Sequence, residues 1–507
     1  APTTPTPALD ANGGPDVWVN ASQPGFQHRA GDNQGAMEVN EDGSDPKAAL
    51  LGSEPPTVTD VVKSIGAGPA QLRMLAFCCG GIMLCDGAEL ILGNVLVQSL
   101  ASEFELNRNE RALFATLTLT GLMFGILTSG YFGDTYGRLR PTLWSFFFTA
   151  VMGFLCSCMP SYGSLLVSRT ILGFSMGFGM PPSSAMLSEN TPEAWRMPLR
   201  IFTCAAFNLG GLFVVLLAAA DNTSYRHLHW RRLTALVALP PVVFGLLSIC
   251  FLHESPVFLA SVGQRSKAQE AFAAMARLNG AEGVDVAYAE LPAVGSSGRR
   301  PSLWQQVCTV FSPRLRYTSV AMLFTALCIN MLVYGDGYAA PIVLAKTSAL
   351  APAWQICIKT SIAMTWTVLG GMLAQVISRK FMMILGAALS SAVCFAFAIA
   401  GAHAPPRPWF LAVLFQYGVN GLSAGPSIAF VVLWQISAEI YPTTVASTGG
   451  AIIMGSSRLA ALSGPLVFEN VSHLTGQWNA FYYLMGSLLA LAVVMLALMR
   501  TMKAHRP

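Results

Sequence analysis

Twelve apolar stretches run through this 507-residue chain, each long enough to cross a bilayer. A spanning helix needs roughly 20 mostly apolar residues. The stretches lie at 72–100, 112–132, 141–159, 163–188, 198–220 and 232–252, then at 318–345, 354–377, 381–401, 408–437, 445–469 and 478–499. In hydrocarbon, only helices and closed barrels satisfy their own backbone. Barrel strands alternate apolar and polar residues, and these stretches do not. The expectation is therefore an all-α polytopic membrane protein. Composition agrees: 53% of residues are hydrophobic and 11% charged, against about 25% charged in soluble domains.

The stretches divide the chain. Residues 1–70 read as a disordered cytoplasmic tail, because the first 68 hold nine acids against three Lys/Arg and have no hydrophobic run of a signal peptide. Residues 71–252 form a first six-helix bundle and 316–500 a second, with 501–507 as a cytoplasmic tail. Between them, 253–315 reads as a cytoplasmic linker with an amphipathic run from Ser266 to Leu278. Placing both termini inside puts sixteen Lys/Arg in the inner loops and seven or eight in the outer ones, Lys359 being ambiguous, as the positive-inside rule requires. Ten of the eleven cysteines fall within or at the ends of apolar segments and read as small packing residues. No metal-ligand spacing and no Walker loop is present, so no cofactor is expected.

An internal repeat is visible at an offset of 250. Asp86-Gly87 matches Asp336-Gly337, Gly121 matches Gly371, and Glu189-x-x-Pro192 matches Glu439-x-x-Pro442. Asn208 falls opposite Arg458. Two halves of parallel topology follow, related by an axis along the membrane normal, with a solute site expected near the midplane between them.

Charges inside spans are costly and mark functional sites. Asp86 and Glu89 lie three residues apart, on one helix face, and point to a cavity for a proton or a cation. Asp336 and Arg458 are expected in the same cavity, with an Asp336–Arg458 ion pair as the structural alternative for Arg458. Three acids against one base leave the cavity near −2. Asn208, Asn330, Tyr334, Trp366, Asn420 and Trp434 are further candidates for its lining. Arg73 and Arg169 sit near helix ends and are expected to snorkel towards water. The Gly121/Gly125 and Gly173/Gly177 pairs suggest close helix packing.

The loop Gly130-Tyr-Phe-Gly133-Asp134-Thr-Tyr-Gly137-Arg138-Leu-Arg140 resembles the signature loop of the major facilitator superfamily. Glu189-x-x-Pro192, Arg196, Glu254-Ser-Pro and Glu439-x-x-Pro442 resemble its sugar-porter and organic-ion branch. Asp86-Gly-x-Glu89 is most similar to metabolite:proton symporters and synaptic vesicle glycoprotein relatives. The resemblance implies an inner-gate charge network of Asp134, Arg138, Glu189, Arg196, Glu254 and Glu439. Val257, Thr135 and Ala446 stand where the family usually carries basic residues, which thins that network. The expected function is secondary active transport, proton-coupled in the family's manner, of a small charged solute by alternating access. The cavity charge slightly favours an organic cation or zwitterion over an organic carboxylate or inorganic phosphate. A non-transporting vesicle or receptor protein that keeps the fold is the reading from another class. An enzyme finds no constellation to support it. Partners expected are the solute, a coupling proton and the bilayer, with no nucleic acid, a monomer, and the plasma membrane as location.

Overall fold

An apolar run in hydrocarbon has only its own backbone to bond with, so each predicted stretch becomes one helix. The architecture comes from a computed structural model that describes residues 56–289 and 303–499, apart from 226, 282, 349, 404, 405 and 440–445. A short helix, α1 (Val58–Ile65), comes first. Six long helices follow: α2 (Pro69–Glu103), α3 (Arg108–Tyr136), α4 (Leu139–Ser157), α5 (Tyr162–Glu189), α6 (Glu193–Asp221) and α7 (Trp230–Phe251). The linker carries α8 (Pro256–Ser261) and α9 (Arg265–Asn279), and α10 (Leu303–Val310) precedes the second half. The second six are α11 (Arg316–Thr347), α12 (Pro352–Val376), α13 (Arg379–Gly401), α14 (Trp409–Glu439), α15 (Ala446–Thr475) and α16 (Ala480–Leu498).

Local chemistry sets the breaks. Asn107 caps α3 and Glu110 closes the capping box. Ser161 caps α5 through the amide of Ser164, and Pro352 sits in the first turn of α12, where its missing N–H costs nothing. Among the described residues, nine of the long helices are long and apolar enough to cross a membrane. The other three, α5, α14 and α15, have 28, 31 and 30 residues.

One boundary differs from expectation. The disordered tail was expected to reach residue 70, yet order begins by residue 58. Thr57 and Asp60 form a capping box that starts α1, and the Thr57 hydroxyl and amide hold the Asp60 carboxyl below its ordinary range. Val58, Val61, Val62 and Ile65 then share a buried cluster with Phe272 and Met275 of α9 and with Tyr288. Their helical spacing was hidden in a tail whose composition is polar. The expectation for residues 1–55 lies outside the described residues.

The two halves are packed alike. In the first, α2 lies on α6, α3 on α5, and α4 on both α5 and α7. In the second, α11 lies on α15, α12 on α14, and α13 on both α14 and α16. Across the divide α3 meets α15, α6 meets α12, and α2 meets α11. Exchanging the halves returns the same scheme, which is the symmetry that the offset of 250 implies.

Glycines make these crossings close. A Cβ on Gly121 would strike the Thr170 carbonyl, and one on Gly125 the Phe174 carbonyl. From the other side, Gly173 and Gly177 lie against the carbonyls of Thr118 and Leu122. The α3–α5 contact is therefore backbone on backbone, as small-xxx-small pairs allow.

The buried apolar residues show how the halves are joined. One large cluster contains Leu96, Leu100, Phe114 and Trp230 of the first half with Leu332, Tyr338, Leu344 and Phe481 of the second. It lies towards the end away from the linker. Nearer the linker the buried residues fall into two cores, one around Met186, Leu199 and Phe272 and one around Met382, Val432 and Leu496, with Met197 of α6 packed against the second. At the far end the Gln98 amide donates to the Pro341 carbonyl at 2.8 Å, and the Ala353 amide donates to the Thr223 carbonyl at 3.2 Å. The halves are thus joined at the end opposite the linker.

Gly173→Leu should disrupt the α3–α5 crossing. Overpacking costs about 1–3 kcal/mol, so the variant in detergent should melt several degrees below the parent. An unchanged Tm would show that the crossing can open without penalty.

Candidate functional site

Asp86 and Glu89 lie one turn apart on α2, and both are buried, at 2% and 0% exposure. They do not share one cavity as expected, because each faces a different partner. Glu89 Oε2 accepts from Arg169 Nη1 of α5 at 2.8 Å. Asp86 faces Arg458 of α15, in the opposite half.

Arg169 departs from its expected role. It does not snorkel: it is 1% exposed and lies beneath the bundle surface. Its guanidinium sits 5.3 Å from the centre of the Phe114 ring. Among the described residues, Arg169 Nε and Nη2 and Glu89 Oε1 have no hydrogen-bond partner. The pair is buried and only partly satisfied.

Asp86 and Arg458 come within electrostatic range of each other across the halves, with no ion pair or hydrogen bond between them. Arg458 Nη1 donates to the Tyr334 hydroxyl of α11 at 3.0 Å, and the charges of both Asp86 and Arg458 act on that phenol. Asp86 Oδ1 is buried and has no hydrogen-bond partner among the described residues. An acid from α2, a base from α15 and a phenol from α11 therefore meet where the halves abut.

Asp336 is buried, but not against Arg458, so that alternative ion pair is not formed. Asp336 Oδ2 pairs with Lys359 of α12, and Oδ1 accepts from the Tyr482 hydroxyl of α16 at 3.0 Å. Lys359, whose place in the spans was ambiguous from the sequence, is the residue that reading missed. With Arg169 and Lys359 counted, three deep acids face three bases. The local charge is balanced, and the expected excess of −2 is corrected to none.

The other candidates disperse. Asn208 donates to the Thr367 hydroxyl of α12 at 3.0 Å, across the α6–α12 seam rather than beside Arg458. Asn330 is 2% exposed and donates to Ala326 O in its own helix. Asn420 accepts from Gln416, which also bonds Gln355. Trp366 packs against the linker-end core of the second half. The side chain of Trp434 lies outside the described residues.

At the linker end, Arg138 pairs with Glu189 at 3.0 Å. Glu254 Oε1 accepts from the backbone amides of Arg138, Leu139 and Ser255 at 2.7, 3.2 and 2.9 Å. The Ser255 hydroxyl donates to Glu189 Oε2 at 3.2 Å. Arg138, Glu189 and Glu254 therefore form one network, whose bonds among the described residues join the first half to its linker. Arg196 donates to the Thr191 carbonyl at 3.1 Å. The side chains of Asp134 and Glu439 lie outside the described residues.

A two-fold arrangement of six-helix halves with ionisable groups at their junction defines a membrane transporter of the major facilitator type, not an enzyme. The family model "Sugar (and other) transporter" matches residues 95–505, and the chain belongs to that family. Among curated proteins, the chain is 25% identical over 491 residues to the synaptic vesicle 2-related protein of Rattus norvegicus, covering 90% of this chain and 82% of that one. It is 28% identical over 266 residues to the putative transporter svop-1 of Caenorhabditis elegans, covering 52% of this chain and about half, 49%, of that one. It is 26% identical over 223 residues to the organic cation/carnitine transporter 7 of Arabidopsis thaliana, covering 44% and 43%. Among solved structures, the partially occluded inward-open xylose transporter XylE of E. coli matches with a TM-score of 0.61 at 18% identity, covering 86% of this chain and 97% of that chain. At that identity the match speaks for the fold alone.

Removing one partner of a buried pair costs about 3–5 kcal/mol, because the other charge is left uncompensated. Arg169→Met should therefore lower Tm sharply, and adding Glu89→Gln should restore most of the loss. A double variant no better than the single one would show that Glu89 and Arg169 do not depend on each other. At the linker end, Glu189→Gln should loosen the network around Arg138. The expected sign is faster labelling of a cysteine placed at Ser184, beside Arg200, with no change at Cys158 on the far side.

Proposed function

We propose that this protein is a secondary active transporter that moves a small organic zwitterion, or a cation, by rocking its two halves about the central seam. A single observation carries the reading. Asp86 and Arg458 bring opposite charges from opposite halves to one place, and Asp86 Oδ1 has no hydrogen-bond partner among the described residues. When the halves move apart, each of these charges loses its counter-charge. A solute that carries both signs replaces both, its ammonium at Asp86 and its carboxylate at Arg458. A neutral sugar replaces neither. The balanced charge of the region supports a zwitterion above a simple cation. The printed name of one relative, an organic cation/carnitine transporter, agrees with that solute class.

The coupling ion is proposed to be a proton, carried by Glu89. Its partner Arg169 is sealed with it in the first half, out of reach of a solute but within reach of a proton. Neutralising Glu89 would release Arg169 to seek another acceptor, and that change would act on α2, which also carries Asp86. The excess of Lys/Arg at the linker end supports a cytoplasmic linker. The joined far end then corresponds to a state facing inward. Plasma membrane and vesicle membrane both fit this reading.

Proteoliposomes with an imposed pH gradient test the proposal. The panel is glycine betaine, tetraethylammonium, benzoate and xylose. The expected result is accumulation of the zwitterion, lost in Asp86→Asn. In Glu89→Gln, exchange should persist while accumulation against the gradient fails. Accumulation of xylose alone would overturn the charged-solute reading. No accumulation of any solute by folded protein would favour a non-transporting protein that keeps the fold.

A further inference from the structure

Opposite charges in a low-dielectric interior attract strongly, yet Asp86 and Arg458 stay unpaired although each lies within range of the other. One of them must be tethered. Asp86 is not the tethered member, because its Oδ1 is buried and has no hydrogen-bond partner among the described residues. Arg458 is: its Nη1 donates to the Tyr334 hydroxyl at 3.0 Å. Among the described residues its guanidinium has no other hydrogen bond or ion pair. The phenol stands beside the gap, since the charges of both Asp86 and Arg458 act on it. The tether also belongs to one half. Tyr334 lies on α11 and Arg458 on α15, and these helices touch backbone to backbone next to the phenol. A Cβ on Gly464 of α15 would meet the Gly335 amide nitrogen at 2.8 Å and the Met331 carbonyl at 3.1 Å. Tyr334 sits between those two residues in the chain, so its place against α15 is fixed. Asp86 comes from α2, in the other half. A motion of one half against the other leaves the tether intact and moves only the acid.

We infer that Tyr334 is a positioning residue of the proposed site: its hydroxyl tethers the Arg458 guanidinium to the second half and keeps it from closing on Asp86. The inference rests on the charged-solute reading above and names what holds that site open. A phenol suits the task because it is neutral. A carboxylate in its place would cancel the charge of Arg458 and leave nothing for an anionic group to meet. A neutral oxygen accepts one N–H and leaves the charge where it is. A guanidinium has more donors than one phenol takes, so Nε and Nη2 keep the edge that receives a carboxylate two-pronged. Without the phenol oxygen, Arg458 has a freed donor and Asp86 has an open acceptor within range. The pair then closes across the seam. A closed pair is a competing state, and a zwitterion binds only where it is broken. The apparent affinity falls in proportion to the fraction of protein left open.

Chemical modification of Arg458 tests the tether without any solute. The full-length protein in lipid is treated with phenylglyoxal, which attacks free guanidinium groups, and the peptide carrying Arg458 is followed by mass spectrometry. Tyr334→Phe removes only the oxygen. The expected result is severalfold slower modification of Arg458 in Tyr334→Phe, because Asp86 takes the guanidinium over. Adding Asp86→Asn should return the rate to that of the parent or above it. A phenol that only satisfies a donor gives the opposite sign, since its loss frees Arg458. An equal or faster rate in Tyr334→Phe therefore overturns the inference. If that variant fails to fold, Asp86→Asn alone decides. The rate should then stay near that of the parent, and a severalfold rise would show that Asp86 already holds Arg458. Equilibrium binding of glycine betaine is the second readout. Its dissociation constant should rise about tenfold in Tyr334→Phe, the equivalent of roughly one charge-assisted hydrogen bond, and an unchanged constant overturns the positioning role. Slower modification in Tyr334→Phe, with no solute bound or accumulated by the parent, would keep the tether and sink the zwitterion reading. Accumulation by the parent with unchanged modification would do the reverse.

Discussion

A charge in hydrocarbon must be compensated, and the interior of this protein is arranged around that requirement. Three acids lie deep among the spans, and each faces a base from another helix: Glu89 with Arg169, Asp336 with Lys359, Asp86 with Arg458. The consequences differ with where the partners come from. Glu89 and Arg169 both belong to the first half, and Asp336 and Lys359 both belong to the second. Those pairs can travel with their half. Asp86 and Arg458 belong to different halves, so no rocking motion leaves their relation unchanged. The fold thereby sets one opposite-charge couple across the seam and keeps the other two pairs within their own halves.

Such a division needs halves that move as units. The glycine crossings supply this in the first half, where α3 and α5 touch backbone to backbone through Gly121, Gly125, Gly173 and Gly177. Gly87 and Gly210 do the same for α2 and α6 against the carbonyls of Phe207 and Leu84. In the second half, Gly335 and Gly464 bring α11 and α15 together. Contacts of this kind leave few ways for a helix to shift within its half. The seam is softer. It is crossed by side-chain bonds such as Asn208 to Thr367 and by single amide–carbonyl contacts at the far end.

The helices and their two-fold order were legible in the sequence, because a span must be apolar along its whole length and the repeat carried its own markers. Asp86, Glu89, Asp336 and Arg458 could be singled out for the same reason, as charges where none is cheap. Their partners could not. Arg169 lies seven residues into α5, a depth from which a long side chain can reach either water or the core. Only the position of Glu89 on a neighbouring helix decides for the core. Lys359 sits equally near the start of α12, and the Asp336 carboxylate holds it inward. Asp86 and Glu89 share a helix face by spacing, yet their side chains are long enough to turn to different neighbours. Spacing settles which side of a helix a residue occupies. It does not settle which of two flanking helices receives the side chain. The linker-end network shows the same limit. Glu254 was placed there through family resemblance, but the structure gives it backbone amides as donors, not arginine side chains.

The symmetry of the scaffold and the asymmetry of its charges belong together. The repeat sets Asp86 opposite Asp336, but the bases have moved: Arg458 occupies the place that Asn208 holds in the first half, and Lys359 has no basic counterpart at Asn109. If both acids had kept partners within their own halves, the seam would hold no charge, and moving it would be indifferent to what the cleft contains. If both had partnered across it, separating the halves would expose four charges at once. One crossing pair lies between these extremes. Under the rocking motion proposed above, one solute with matching charges is enough to offset its separation.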